Sequence, residues 1–154
     1  MSATYFVDTN LLVYARDSSE SQKQPIAKDW LDRLWSQRCG RLSIQVLNEY
    51  FVTVTRKLTP GLNEDAAWSD VEDLLTWDPV PVDSQVLRRA RELAMRYALS
   101  WWDAQIVAAA QLCGAERLLT EDLQDGQDMD GLVVINPFRR SPDEELGTRP
   151  TGAE

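Results

Sequence analysis

Asp8, Glu49, Asp103 and Asp122 are the side chains of this sequence whose type and setting could do chemistry. The chain has no histidine and only two cysteines, Cys39 and Cys113. That removes Ser-His-Asp and Cys-His nucleophilic catalysis, imidazole base chemistry and His-containing zinc sites. What remains is chemistry on carboxylates, hydroxyls, Lys, Arg or a hard metal ion, and oxygen ligands suit Mg2+ or Mn2+. Carboxylates gathered in one place with no cation between them repel one another, so a shared site implies a divalent ion.

Each of the four positions has a structural explanation beside the chemical one. Asp8 follows the β-prone run Thr4-Tyr5-Phe6-Val7 and precedes Thr9, Asn10 and a helix-compatible stretch. In an open α/β sheet such a strand end faces the ligand crevice, yet Asp8 is also a good helix N-cap. Glu49 lies in a helical stretch opposite the apolar stripe Leu47, Tyr50, Phe51, Val54 and Leu58, where a solvated face explains it as well. Asp103 shares a stripe with Ile106, Val107 and Ala110, an unusual place for a carboxylate without a partner. Ser100-Trp101-Trp102-Asp103 also has the spacing of a capping box, with Asp in place of the usual Glu or Gln. Asp122 follows a strand-like run, at a second strand end, or is a plain turn residue. Asp125, Asp128 and Asp130 read as solvated turn residues. Counted from Asp125, glycine falls at the seventh position and not at the sixth, as a calcium loop needs.

The rest of the chain must position these groups. Its periodicities predict helices over residues 25–38, 45–57, 64–75, 84–98 and 101–113. Asn63, Asp83 or Ser84, and Ser100 are the expected caps of the last three. Strands are expected near residues 4–7, 41–44, 117–120 and 132–135, with 79–82 extended and 121–131 a polar loop. Strands separated by helices of ten or more residues predict one three-layer α/β/α domain with a short parallel sheet over residues 1–138. Residues 139–154 lack periodicity and read as a disordered polar tail.

Composition sets further bounds. A chain of 154 residues is one domain of ordinary size. No apolar run approaches the ~20 residues of a membrane span, and no basic-then-apolar leader opens the sequence. A cytoplasmic protein without a membrane partner is the expectation. The net charge of −9, from 25 acidic against 16 basic residues, counts against non-specific nucleic-acid binding through a basic face. It suits capture of a divalent cation or pairing with a basic partner. Arg16, Lys23, Lys28, Arg56 and Lys57 are the cations available to meet a phosphate backbone.

Several segments follow one another along the chain: Phe6-Val7-Asp8-Thr9-Asn10, Leu47-Asn48-Glu49-Tyr50, Ser100-Trp101-Trp102-Asp103-Ala104-Gln105-Ile106-Val107-Ala108-Ala109-Ala110, Leu119-Thr120-Glu121-Asp122 and Val134-Ile135-Asn136-Pro137-Phe138. In this order and spacing the sequence resembles the PIN-domain ribonucleases, and within them the VapC-type toxins of bacterial type II toxin–antitoxin pairs, over about residues 3–138. The resemblance implies a PIN-like fold, one or two Mg2+ or Mn2+ ions, and cleavage of single-stranded RNA to 5′-phosphate and 3′-hydroxyl products. It implies Asp8, Glu49, Asp103 and Asp122 as catalytic residues. Asp8, Asp103 and Asp122 would be metal ligands, and Glu49 would complete the site. Asn10 and Thr120 would add hydrogen bonds.

It further implies a cognate antitoxin protein and a homodimer. Trp30, Trp35 and Tyr14 could line an antitoxin groove, although core packing also explains the two tryptophans. A catalytically silent PIN-like partner-binding module is the alternative, and its expected mark, a lost acidic position, is not seen. A haloacid-dehalogenase phosphatase needs a second Asp where Asn10 stands, and the acidic pair and later Lys of a receiver domain are missing.

Overall fold

Tyr5–Val7 (β1) is buried along its whole length, as a central strand of a sheet covered on both faces must be. The computed structural model describes residues 3–148, and in it β1 is the strand from which the sheet extends both ways. Gly40–Arg41 (β2) and Arg117–Leu119 (β3) flank it in parallel, and Leu132–Ile135 (β5) lies parallel to β3. Asp128–Met129 (β4) closes the far edge antiparallel to β5, giving the order β2-β1-β3-β5-β4. The three-layer α/β/α expectation holds.

The sheet is nonetheless mixed, because part of the stretch expected as a loop forms β4. Asp130 and Gly131 both adopt positive φ, at 55° and 95°, and make the two-residue link of a hairpin. The Asp128 carboxylate accepts the Gly131 N–H at 2.8 Å and closes it.

The helices are Thr9–Tyr14 (α1), Lys23–Gln37 (α2), Ile44–Val52 (α3), Glu64–Leu75 (α4), Ser84–Tyr97 (α5), Trp101–Leu112 (α6) and Pro142–Leu146 (α7). Side chains of Asp8, Ser43, Asn63, Asp83 and Ser100 accept first-turn N–H groups at five of their starts. The expected strand at 41–44 is shorter than the sequence suggests because Ser43 caps α3, and Ser43 also bridges to Val80. The helix expected over 45–57 leaves α-geometry at Thr53–Lys57, which forms a wider π-turn.

Residues 139–148 correct the expectation of a disordered tail. Arg33 on α2 is buried, and a buried guanidinium needs partners. It finds the Asp143 carboxylate at 2.6 Å and the Gly147 carbonyl. Pro142 is buried, Ser141 and Glu144 form a capping box, and α7 packs on α2. Residues 149–154 of the expected tail lie outside the described residues. Among the described residues, no helix is long and apolar enough to cross a membrane.

The edge next to β1 depends on a missing side chain. A Cβ on Gly40 would come within 2.5 Å of the Trp77 ring, which is itself buried and packed at 5.0 Å on Trp35. Gly40→Ala is therefore expected to destabilise the protein by about 1–3 kcal/mol through overpacking. Urea denaturation checks this, and an unchanged midpoint would mean that Trp77 moves freely.

Candidate functional site

The parallel register of β1 and β3 creates the site. Val7 pairs with Leu119, so the residues just beyond both strand ends are neighbours. The Asp8 N–H donates to the Leu119 carbonyl at 3.1 Å, and the Thr120 hydroxyl donates to Asp8 Oδ2 at 2.8 Å. Asp8 Oδ1 accepts from the Thr9 N–H at 2.7 Å, so Asp8 caps α1 and faces the crevice at once.

The same turn orders the other carboxylates. The Thr9 hydroxyl donates to Glu49 Oε2 at 2.8 Å, and Gln45 Nε2 donates to Glu49 Oε1 at 3.2 Å. Asn10 Nδ2 donates to Asp122 Oδ2 at 3.1 Å and lies 3.5 Å from the Thr120 hydroxyl oxygen, which also accepts the Asp122 N–H. At the α6 start, the Ser100 hydroxyl accepts the Asp103 N–H at 3.1 Å, and the Asp103 side chain lines the cleft. The capping explanation for Asp103 and its placement at the cleft are thus compatible.

Asp8, Glu49, Asp103 and Asp122 all line one cleft of about 320 Å³, together with Thr9, Asn10, Val13, Tyr14, Gln45, Thr53, Trp102 and Ile106. Burial pushes the Asp8 carboxyl up to about 7. The Thr120 and Thr9 hydrogen bonds pull the other way, while the negative charges of Asp122 and Glu49 add to the rise. Asp122 is raised too, first by desolvation and then by the charges of Asp103, Glu121 and Glu49, against the opposing Asn10 hydrogen bond. The repulsion expected from the sequence is therefore present in the cleft.

The donor chemistry fits a hard divalent cation: carboxylate and amide oxygens, no sulfur, no imidazole. Asn10 Oδ1 is buried in the cleft wall with no hydrogen-bond partner, an acceptor left for something else. Among the described residues, however, no three acidic side chains are placed to share one coordination sphere, and Asp8, Glu49 and Asp122 are each held by hydrogen bonds from Thr9, Gln45, Asn10 or Thr120. Asp103→Asn is expected to raise the melting temperature of metal-free protein by a few degrees, through relief of repulsion, and to cancel stabilisation by millimolar Mn2+. Thermal melts with and without Mn2+ check this. Undiminished Mn2+ stabilisation would remove Asp103 from the ion's surroundings.

Gln45, Thr9 and Trp102 also line the cleft, beyond the residues to which the sequence assigns a role. Gln45 is buried and also reaches the Trp102 carbonyl at 3.5 Å, linking α3 to α6. Its signal was a buried amide four residues before Glu49 on one helix face. Of the aromatic candidates, Trp30 is fully buried and donates from Nε1 to the Pro137 carbonyl, so the core explanation applies to it. Tyr14 lines the carboxylate cleft, with its hydroxyl bonded to Glu121 and Lys23. Trp35 lines a second, larger cavity of about 610 Å³ on the other side of α1 and α3, with Leu12, Leu31, Tyr50, Leu74 and the Arg16–Asp70 ion pair. The larger cavity contains none of the four carboxylates, so size does not mark the chemistry here.

The family model for the PIN domain matches residues 5–125. None of the curated proteins compared with the chain gives a match. Among solved structures, a toxin–antitoxin complex from Klebsiella pneumoniae contains a chain 22% identical, with a TM-score of 0.62 over 87% of this chain and 98% of that one. VapC20 of Mycobacterium tuberculosis, a sarcin-ricin loop cleaving toxin, is 21% identical, with a TM-score of 0.58 over 77% and 90%. VapBC2 from Rickettsia felis, bound to a fragment of its promoter DNA, is 17% identical, with a TM-score of 0.56 over 85% and 96%. At these identities the likeness is one of fold.

Proposed function

Because the chain belongs to the PIN domain family, we propose that it is a Mg2+- or Mn2+-dependent endoribonuclease cleaving single-stranded RNA, the toxin of a toxin–antitoxin pair. The observation that carries this reading is the meeting of Asp8, Glu49, Asp103 and Asp122 in one cleft at the carboxyl ends of β1 and β3.

Asp8, Asp103 and Asp122 are the proposed ligands of one or two cations, which would have to draw the carboxylates together from their separate positions in this cleft, with Asn10 Oδ1 as an additional oxygen. A bound divalent ion would lower the pKa of its water and polarise the scissile phosphate. The chain's own residues set the stage. Thr9 and Thr120 fix both oxygens of Asp8, and Asn10 fixes Asp122. Glu49, held by Thr9 and Gln45, is the group proposed to orient the attacking water and take up its proton. Val13 and Ile106 supply the apolar part of the cleft wall.

The antitoxin is proposed to dock in the larger cavity, whose apolar wall of Leu12, Leu31, Trp35 and Leu74 is interrupted by the charges of Arg16, Lys28, Asp32, Asp70 and Asp73. A homodimer and a cytoplasmic setting belong to the same reading, as does a single nuclease domain. The Mycobacterium tuberculosis and Klebsiella pneumoniae neighbours lend support through their own toxin and toxin–antitoxin descriptions.

The test is cleavage of an end-labelled, loop-containing RNA in Mg2+ or Mn2+, in EDTA, and by Asp8→Asn. Metal-dependent cuts bearing 5′-phosphates are expected, absent in EDTA. Stabilisation by Mn2+ without cleavage of any RNA in a broad pool would move the assignment to a partner-binding module.

A further inference from the structure

A cleft that handles RNA has to hold a polyanion, yet this one offers no cation from its own walls. None of its described lining residues is Lys or Arg, four are carboxylates, and the whole chain carries −9. Lys23, stacked over Tyr14 at 4.7 Å, is matched by Glu121 at 2.8 Å. The cleft lining itself therefore supplies no cationic side chain for the phosphate contacts that usually dominate affinity for nucleic acid. An unpaired strand has one other handle that any sequence provides, the flat faces of its bases, which stack on aromatic side chains.

The cleft has such a surface. Trp102 is 64% exposed and lines the cleft beside Asp103. Its indole is not a core side chain, and a large exposed aromatic beside a polar site is available for stacking. Its backbone is fixed: it occupies the second position of α6 behind the Ser100 cap, and its carbonyl lies 3.5 Å from Gln45 Nε2. The same Gln45 amide nitrogen donates to Glu49. The Trp102 backbone and the Glu49 carboxylate are thus linked through a single buried side chain.

We propose that Trp102 is a base-stacking platform that positions an unpaired nucleobase beside the carboxylate cleft, so that this acidic chain holds single-stranded RNA chiefly by stacking. The inference rests on the nuclease reading above and adds the residue that seats the substrate. Trp102 is a positioning residue, with no part in bond making. Because stacking is indifferent to base identity, it predicts affinity for unpaired RNA of mixed sequence and none of this contribution for a duplex, whose bases are already stacked.

The experiment measures fluorescence anisotropy of a labelled pool of short, unstructured, mixed-sequence RNA, and of a duplex, with Ca2+ in place of Mg2+. The proteins are the unaltered chain, Trp102→Ala, Trp102→Phe and Trp68→Ala. Trp68 on α4 is 51% exposed but outside the cleft, and so controls for exposed indole in general. Trp102→Ala is expected to weaken single-strand binding roughly tenfold or more, the scale of one lost base–aromatic stack. Trp102→Phe should recover most of it, and Trp68→Ala and the duplex should show no change. In cleavage with Mg2+, Trp102→Ala should raise KM with kcat nearly constant. Full-strength binding and unchanged KM in Trp102→Ala, with the unaltered chain still cutting RNA, would overturn the stacking role and leave the nuclease reading intact. Equal losses in Ala and Phe would also overturn it, by tracing the effect to the indole N–H. An unaltered chain that neither binds nor cuts RNA in metal would overturn both.

Discussion

Asp8→Asn is expected to abolish metal-dependent RNA cleavage, with a loss of at least about a thousandfold, while the protein stays folded. The size follows from the residue's position. Asp8 is the most deeply buried of the four acids, at 7% exposure, and its two oxygens are aligned by Thr9 and Thr120. A neutral amide there removes a fixed negative charge from a site proposed to hold a divalent ion, where charge interactions are strengthened by low dielectric. The cost to the fold is small by comparison. Asn can still accept the Thr9 N–H, and the reorganised Thr120 bond is worth about 1 kcal/mol. Circular dichroism and a melt establish that the variant is folded, and cleavage of the same RNA by both proteins decides the outcome. Cleavage at the unaltered rate would remove Asp8 from the chemistry and leave it as the cap of α1.

The second large effect is on stability in the absence of metal. Asp8 has its carboxyl pushed up to about 7 from an ordinary value of 3.8, first by burial. Between these two values the folded state holds a proton that the unfolded chain has released. Stability therefore falls as pH rises through this window and is flat beyond it, the reverse of an ordinary salt-bridged carboxylate. At about 1.4 kcal/mol per unit, the penalty above pH 7 is on the order of 4 kcal/mol. Urea unfolding in EDTA across pH 4.5 to 7.5 (about the span between the two pKa values) is expected to show this slope in the unaltered protein and not in Asp8→Asn. Saturating Mn2+ should flatten the curve, since a cation favours the charged carboxylate over the protonated one. An identical slope in the variant would assign the titration elsewhere, and a rise with pH would refute the burial argument.

Much of this site was legible along the chain because it is built from local signals. Asp8 at a strand end, Asp103 three residues after Ser100 and Asp122 beyond a second strand each follow from pattern and capping rules. The Asp130-Gly131 link was also legible, since Asp-Gly before a β-branched run is a hairpin signal, yet the polar composition around it pointed to a loop. The order of residues 139–148 was not legible. It depends on Arg33, whose burial is decided by packing between α2 and a segment more than a hundred residues away.

By itself the sequence determined what kind of chemistry was open to this protein: no imidazole, few thiols and an excess of carboxylates leave carboxylate, hydroxyl, Lys, Arg or hard-cation chemistry. It also placed three of those carboxylates, Asp8, Asp103 and Asp122, at element ends, because caps and strand ends are set by neighbours in the chain. Tertiary structure alone decided that they meet. The Val7–Leu119 register brings Asp8 against Thr120, and only folding sets Thr9 and Gln45 on Glu49. It also decided which tryptophan is core and which is surface. Trp30 and Trp102 both sit in helices, but one is buried and bonded to the Pro137 carbonyl and the other is left open beside the cleft. Burial depends on what packs from elsewhere in the chain, and periodicity carries no record of that.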